Sequence, residues 1–96
     1  IAELRNSIGR DPAPSPELSP ALQALWHDAR GDWDQAHTCA QQEENREGAW
    51  VHAYLHRKEG DLPNARYWYR QAGAEPSTDA LDDEWTRIVA ELLHRQ

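Results

Sequence analysis

The chain has 96 residues, 39% of them hydrophobic, and its seventeen acidic against ten basic side chains give a formal charge of −7 at pH 7. That length supports one domain around one core, and the acidic excess argues against nucleic acid as a partner, since a phosphate-neutralising surface would have to be local. No run approaches the roughly 18 consecutive apolar residues of a membrane span, and no signal-peptide h-region is visible.

Cys39 is the single cysteine, which excludes an internal disulfide and fits a reducing setting, so a cytoplasmic protein is expected. With Ile1 first and no methionine anywhere, the sequence is expected to be a processed or trimmed form. Five tryptophans, three tyrosines and no phenylalanine leave every large aromatic side chain with a polar handle, a composition that suits a half-wet groove as well as a small core.

In chain order, Ile1, Leu4 and Ile8 form a short apolar stripe, read as one or two turns of helix within residues 1–10 and ending at Gly9. Residues 11–19 are a stiff connector, because Pro12, Pro14 and Pro16, with Pro20 just beyond, push their predecessors toward extended backbone. Ser19 followed by Pro20 is a helix start, and Leu22, Leu25, Trp26 and Ala29 recur on one face until Gly31, predicting a helix over Pro20 to Arg30. Asp32 caps the next helix, whose face is Trp33, Ala36, His37 and Ala40 and whose end falls near Asn45. Glu47 and Gly48 then break the chain.

Trp50 to Gly73 is the centre of the sequence and reads as two helices joined by a tight corner. Trp50, Val51, Tyr54 and Leu55 mark the first, Gly60 closes it, Asp61 caps the second with Pro63 in its first turn, and Gly73 ends it. After Glu75-Pro76 the last helix is the clearest: Leu81, Trp85, Ile88, Val89, Leu92 and Leu93 share a face, with acids loaded into its first turns. Residues 77–96 are therefore expected to be a capping helix, and the absence of any alternating stretch predicts an all-α protein.

Gly31-Asp32 recurs as Gly60-Asp61, 29 residues on, and the same offset pairs Ala24 with Ala53, His27 with His56, Ala36 with Ala65 and Gln42 with Gln71. Small residues at four of these positions let paired helices approach closely. With Tyr69, Ala72 and Pro76 added, residues Pro20 to Pro76 resemble the tetratricopeptide repeat family. They depart from it in a period of 29 rather than about 34, in Ala40 and Glu43 where the first unit should carry an aromatic and a small residue, and in His27 and His56 where tyrosine is usual. The resemblance implies two stacked antiparallel helical hairpins plus a C-terminal capping helix, with protein or peptide binding as the usual role.

In that family the first helices of the hairpins line a concave face. The matching positions are Trp50, Tyr54, Arg57 and Lys58, with Ala21, Leu25 and Asp28 from the first hairpin. Aromatic faces beside two cations would seat a peptide of acidic or carboxylate character. The family's carboxylate clamp needs asparagines and lysines absent here, which argues against recognition of a chain terminus. The alternative for the same residues is that two units are too few for a groove and that the last helix packs over them through Trp85 and Leu81. Arg66, Tyr67 and Arg70, on the other side of their helix from Leu62 and Ala65, offer a second partner surface, for another protein or for a homodimer; a solvated helix face is the alternative there too.

His52 and His56 stand four apart on one helix, a spacing that can put two imidazoles on one metal, with a third ligand to be sought in His27, His37, Cys39 or an acid. No metal-protease motif or cysteine pair supports this, and the favoured reading makes His27 and His56 matched packing residues, each with one ring nitrogen hydrogen-bonded at the same place in its repeat, so no metal or other cofactor is expected. Cys39 with a histidine, Asp82 with Asp83 and Asp32 with Asp34 lack an orienting third residue. No catalytic residue is assigned, and the protein is expected not to be an enzyme.

Overall fold

Residues 1–95 are described in the computed structural model, and every regular element among them is a helix. These are α1 (Ala2–Arg10), α2 (Pro20–Ala29), α3 (Trp33–Gln41), α4 (Arg46–Glu59), α5 (Leu62–Ala72) and α6 (Leu81–Arg95). Gln96, the end of the predicted capping segment, lies outside the described residues. The fold is all-α, as expected.

The two Gly-Asp corners repeat at the level of individual hydrogen bonds. Gly31 and Gly60 sit at φ 81° and 92°, the left-handed region that a side chain would strain. The next amide then reaches back to a histidine carbonyl: Asp32 N–H donates to His27 O and Asp61 N–H to His56 O, each at 3.0 Å. Each aspartate carboxylate then accepts from the amide three residues on, Gln35 at 3.1 Å and Asn64 at 3.3 Å. Ser19 caps α2 in the same way through Leu22 N–H at 3.2 Å.

Each corner folds a helix back on its neighbour, so α2 packs on α3 and α4 on α5. The hairpins meet through α4, which touches both α2 and α3. Helix α6 lies across α2 and α4, the face expected to be concave, and buries Trp85, Ile88, Val89 and Leu92 against Leu22, Leu25, Tyr54 and Leu55. The Trp85 indole N–H donates to Leu25 O at 3.0 Å inside this core.

Several boundaries differ from the sequence reading: α6 starts at Leu81 within the segment 77–96 expected to form the capping helix, and α2 ends at Ala29 rather than Arg30. Helix α3 stops at Gln41 and α4 begins at Arg46, because Asn45 Oδ1 accepts from Gly48 N–H at 2.9 Å and caps a helix that runs through the expected break. Gly48 is there for space: a Cβ on it would stand 1.8 Å from the backbone oxygen of Glu43. Helix α1 runs one residue past Gly9 and is tied into the body, with Leu4 buried and Ser7 Oγ accepting from the Trp26 indole N–H at 3.1 Å.

Candidate functional site

Helix α4 supplies most of the polar chemistry, and its residues divide by the direction in which they point. Tyr54 is only 2% exposed and its hydroxyl donates to Asp28 Oδ2 at 2.9 Å. Lys58 Nζ donates to the other oxygen of Asp28, also at 2.9 Å. Arg57 donates to Glu84 Oε1 at 2.7 Å and to the carbonyl oxygen of Asp79, while Tyr69 hydroxyl donates to Glu84 Oε2 at 2.5 Å. Two buried carboxylates, Asp28 and Glu84, are thus each gripped by one tyrosine and one cation. Burial, reinforced by the neighbouring carboxylates, pushes both phenols above the ordinary tyrosine range.

These bonds engage Tyr54, Arg57 and Lys58, three of the four residues expected to seat a peptide, inside the chain. Trp50 is half-buried between the core and the Ala53, Ala65 and Tyr69 cluster. The helix packed across them is α6, through Trp85 and Leu81. What remains open on that side is a cavity of about 410 Å³ between α1, α2, α4 and α6, reached by Tyr54, Lys58, Asp28 and Arg5.

The outer face of α5 is different. Arg66 and Arg70 are exposed, Tyr67 is 46% exposed, and Leu62 on the same helix is 51% exposed. Tyr67 stands edge-on to Trp68, with centroids 5.1 Å apart. Beside them lies a cleft of about 620 Å³, walled by Ala40 and Gln41 of α3 and by Trp68 and Gln71 of α5, with Ala49 and His52 of α4 at its floor. It exists because α3 and α5 both pack on α4 and not on each other.

The third feature is a run of rings, with one amide beside it, built from i, i+4 pairs on three successive helices. Trp33 and His37 come from α3, His52 and His56 from α4, Asn64 and Trp68 from α5. Trp33 stacks on His37 with centroids 4.8 Å apart, and Trp68 on His52 at 3.9 Å. Between these two indoles the imidazoles of His37, His52 and His56 converge. His37 Nε2 and His52 Nε2 are 2.8 Å apart, so one carries the shared proton and the other accepts it. His56 Nδ1 is 2.6 Å from Glu59 Oε2, and its Nε2 is 3.3 Å from the Asn64 amide nitrogen.

Burial, with His37 and His56 alongside, holds the His52 imidazole down at about 4. His37 is lowered too, first by burial and then by His56. At neutral pH His52 is therefore an uncharged ring with a lone pair to offer. Cys39 is a buried thiol, free of any disulfide, that burial pushes up, which disfavours the thiolate a nucleophile needs.

The pairing of His52 with His56 is readable from their spacing, but that the third ring is His37 rather than His27 follows only from how the hairpins pack. His27 lies against Trp26 instead, edge-on at 5.2 Å. Glu84 escapes the sequence reading, although it sits three residues after Leu81 and four before Ile88, squarely on the buried stripe of α6.

No family model matches the chain, and neither does any curated protein or solved structure.

Proposed function

We propose that this protein is a binding module without catalytic activity of its own, and that it takes an acidic segment of another protein along the outer face of α5. The observation that carries the reading is the exposure of Tyr67 edge-on to half-buried Trp68, flanked by the exposed cations Arg66 and Arg70. Aromatic anchors with arginines beside them are the side chains that dominate protein interfaces. On a chain of net charge −7 a basic strip is local, so it selects its partner by sign. The resemblance of Pro20 to Pro76 to tetratricopeptide repeats points the same way. The reading moves the contact from the face covered by α6 to the outer face of α5, and it includes a cytoplasmic setting, on the strength of the lone thiol of Cys39.

The test is selection of peptides from a displayed random library, followed by titration of the winners against the wild type, Tyr67→Ala and an Arg66→Ala, Arg70→Ala double variant. Acidic winners whose binding weakens by about 10-fold or more in Tyr67→Ala support the reading. Winners without an acidic bias, or winners that bind both variants as well as the wild type, overturn it. Light scattering on the unliganded protein separates the rival occupant, a second copy: a dimer dissolved by Tyr67→Ala makes the same face a homodimer contact.

A further inference from the structure

We propose that His37, His52 and His56 form a binding site for a divalent transition-metal ion, zinc being the best match, with three protein ligands and a fourth position open to water. The site does not depend on the peptide reading above. It rests on three pieces of geometry and on the chemistry of the donor set.

The ligand nitrogens of the three rings lie within 4.8 Å of one another, drawn from two helices that pack together. His52 and His56, one helical turn apart, lie with centroids 4.7 Å apart and planes 23° apart, and both rings meet His37, at 4.5 and 5.1 Å between centroids. His37 closes the third side with its Nε2 directed at the Nε2 of His52. The 2.8 Å between those two atoms is shorter than the separation of about 3.3 Å between two nitrogens on a tetrahedral zinc. Exchange of the shared proton for the ion therefore spreads them by a few tenths of an ångström.

The second piece is orientation from outside the ring set. Glu59 Oε2 accepts from His56 Nδ1–H, which fixes the tautomer and leaves Nε2 as the ligand atom. A carboxylate behind a metal-bound histidine is the usual supporting arrangement, raising the basicity of the ring as well as aiming it. Asn64, which reaches His56 Nε2 at 3.3 Å, turns aside when the ion takes that lone pair.

Third, the rings are held from both sides. Trp33 stacks on His37 with planes 10° apart and Trp68 on His52 with planes 13° apart, so neither imidazole is free to swing out of the set. Fourth, the donor set selects the metal. Three imidazole nitrogens with no oxygen ligand among them suit zinc, copper or nickel and reject magnesium and calcium, which require oxygen. His37 is half-buried rather than buried, so the ion has a way in and a water or an incoming ligand can complete the coordination.

The experiment is a titration of untagged, chelator-stripped protein with cobalt(II), followed by its displacement with zinc. The expected result is one equivalent bound, visible absorption of tetrahedral intensity, and a zinc Kd of about 1 μM or tighter. His37→Ala, chosen because it is the least buried of the three, should weaken zinc by at least ~10-fold and bleach the cobalt spectrum, while circular dichroism reports the fold. Glu59→Gln should weaken binding by about 10-fold and keep the spectrum, the signature of a positioning residue. His27→Ala and His94→Ala should change nothing. No uptake by the wild type overturns the proposal, as does binding that survives His37→Ala intact or disappears in either outlying variant.

Discussion

Glu84 and Asp28 are both carboxylates taken out of water, both held by a tyrosine and a cation, and yet the two grips differ in depth. The Glu84 side chain is 0% exposed and its partner Arg57 17%, whereas Lys58, the partner of Asp28, is 40% exposed. Loss of Arg57 strands a buried charge with one phenol for company, and such losses cost about 3–5 kcal/mol. Loss of Lys58 opens the side of Asp28 nearest water, and the cost should stay near the ~1 kcal/mol of a surface pair. Urea denaturation of Arg57→Ala and Lys58→Ala should show that ordering; equal losses would mean that Glu84 is hydrated. The sequence offers both acids on apolar stripes, Glu84 between Leu81 and Ile88 and Asp28 three after Leu25. What it cannot offer is the reach of two adjacent cations on α4 to two different helices, because Arg57 and Lys58 are neighbours in the chain and look alike in a pattern of charges.

At the scale of the element, corners are easier to read than helix ends. Each Gly-Asp corner is a local event, decided within six residues by one left-handed glycine and one capping carboxylate, and both appear where their residues stand. The start of α4 escapes the pattern because Gly48 carries two meanings. As a helix breaker it predicts a gap; as the only residue that fits against the Glu43 carbonyl it belongs inside the helix. The distinction yields an opposed pair of outcomes. Gly9 lies within α1, and a methyl group added there would meet nothing within 4 Å, so Gly9→Ala should stabilise by about 0.5–1 kcal/mol through helix propensity. Gly48→Ala should destabilise by about 1–3 kcal/mol or more, since the added carbon meets backbone that has to move. Thermal melts decide it: at roughly 4–8 °C per kcal/mol for a domain of this size, the two variants should fall on opposite sides of the wild type. The histidine set follows the same logic of local and non-local. Its i, i+4 pair is written into α4, while its third member depends on α3 and α4 packing across the boundary between hairpins.

For the whole molecule, the buried titratable groups define the pH range in which this fold is worth most, and the two ends belong to different parts of it. The His52 ring, 5% exposed, titrates near 4 when folded and near 6.5 when unfolded, so the unfolded chain takes up the proton first as pH falls. Its contribution is complete above pH 6.5 and drains away between there and about 4. By pH 5 the loss is about 2 kcal/mol. His37 and His27, also lowered, add to the same slope. On the alkaline side the sign reverses: Tyr54 and Tyr69 are raised, so their contribution is complete below pH 10 and is lost as pH climbs beyond it. Stability of the metal-free protein should therefore run level from about pH 7 to 9 and fall on both flanks, by different mechanisms. Urea midpoints measured in chelator from pH 5 to 7 isolate the acid flank before most carboxylates titrate. His52→Gln should flatten that flank, because the replacement carries no proton to gain. A midpoint that does not move between pH 7 and 5 would mean that the imidazole cluster carries no acid sensitivity, and one that falls as steeply in His52→Gln would place that sensitivity outside the His52 ring.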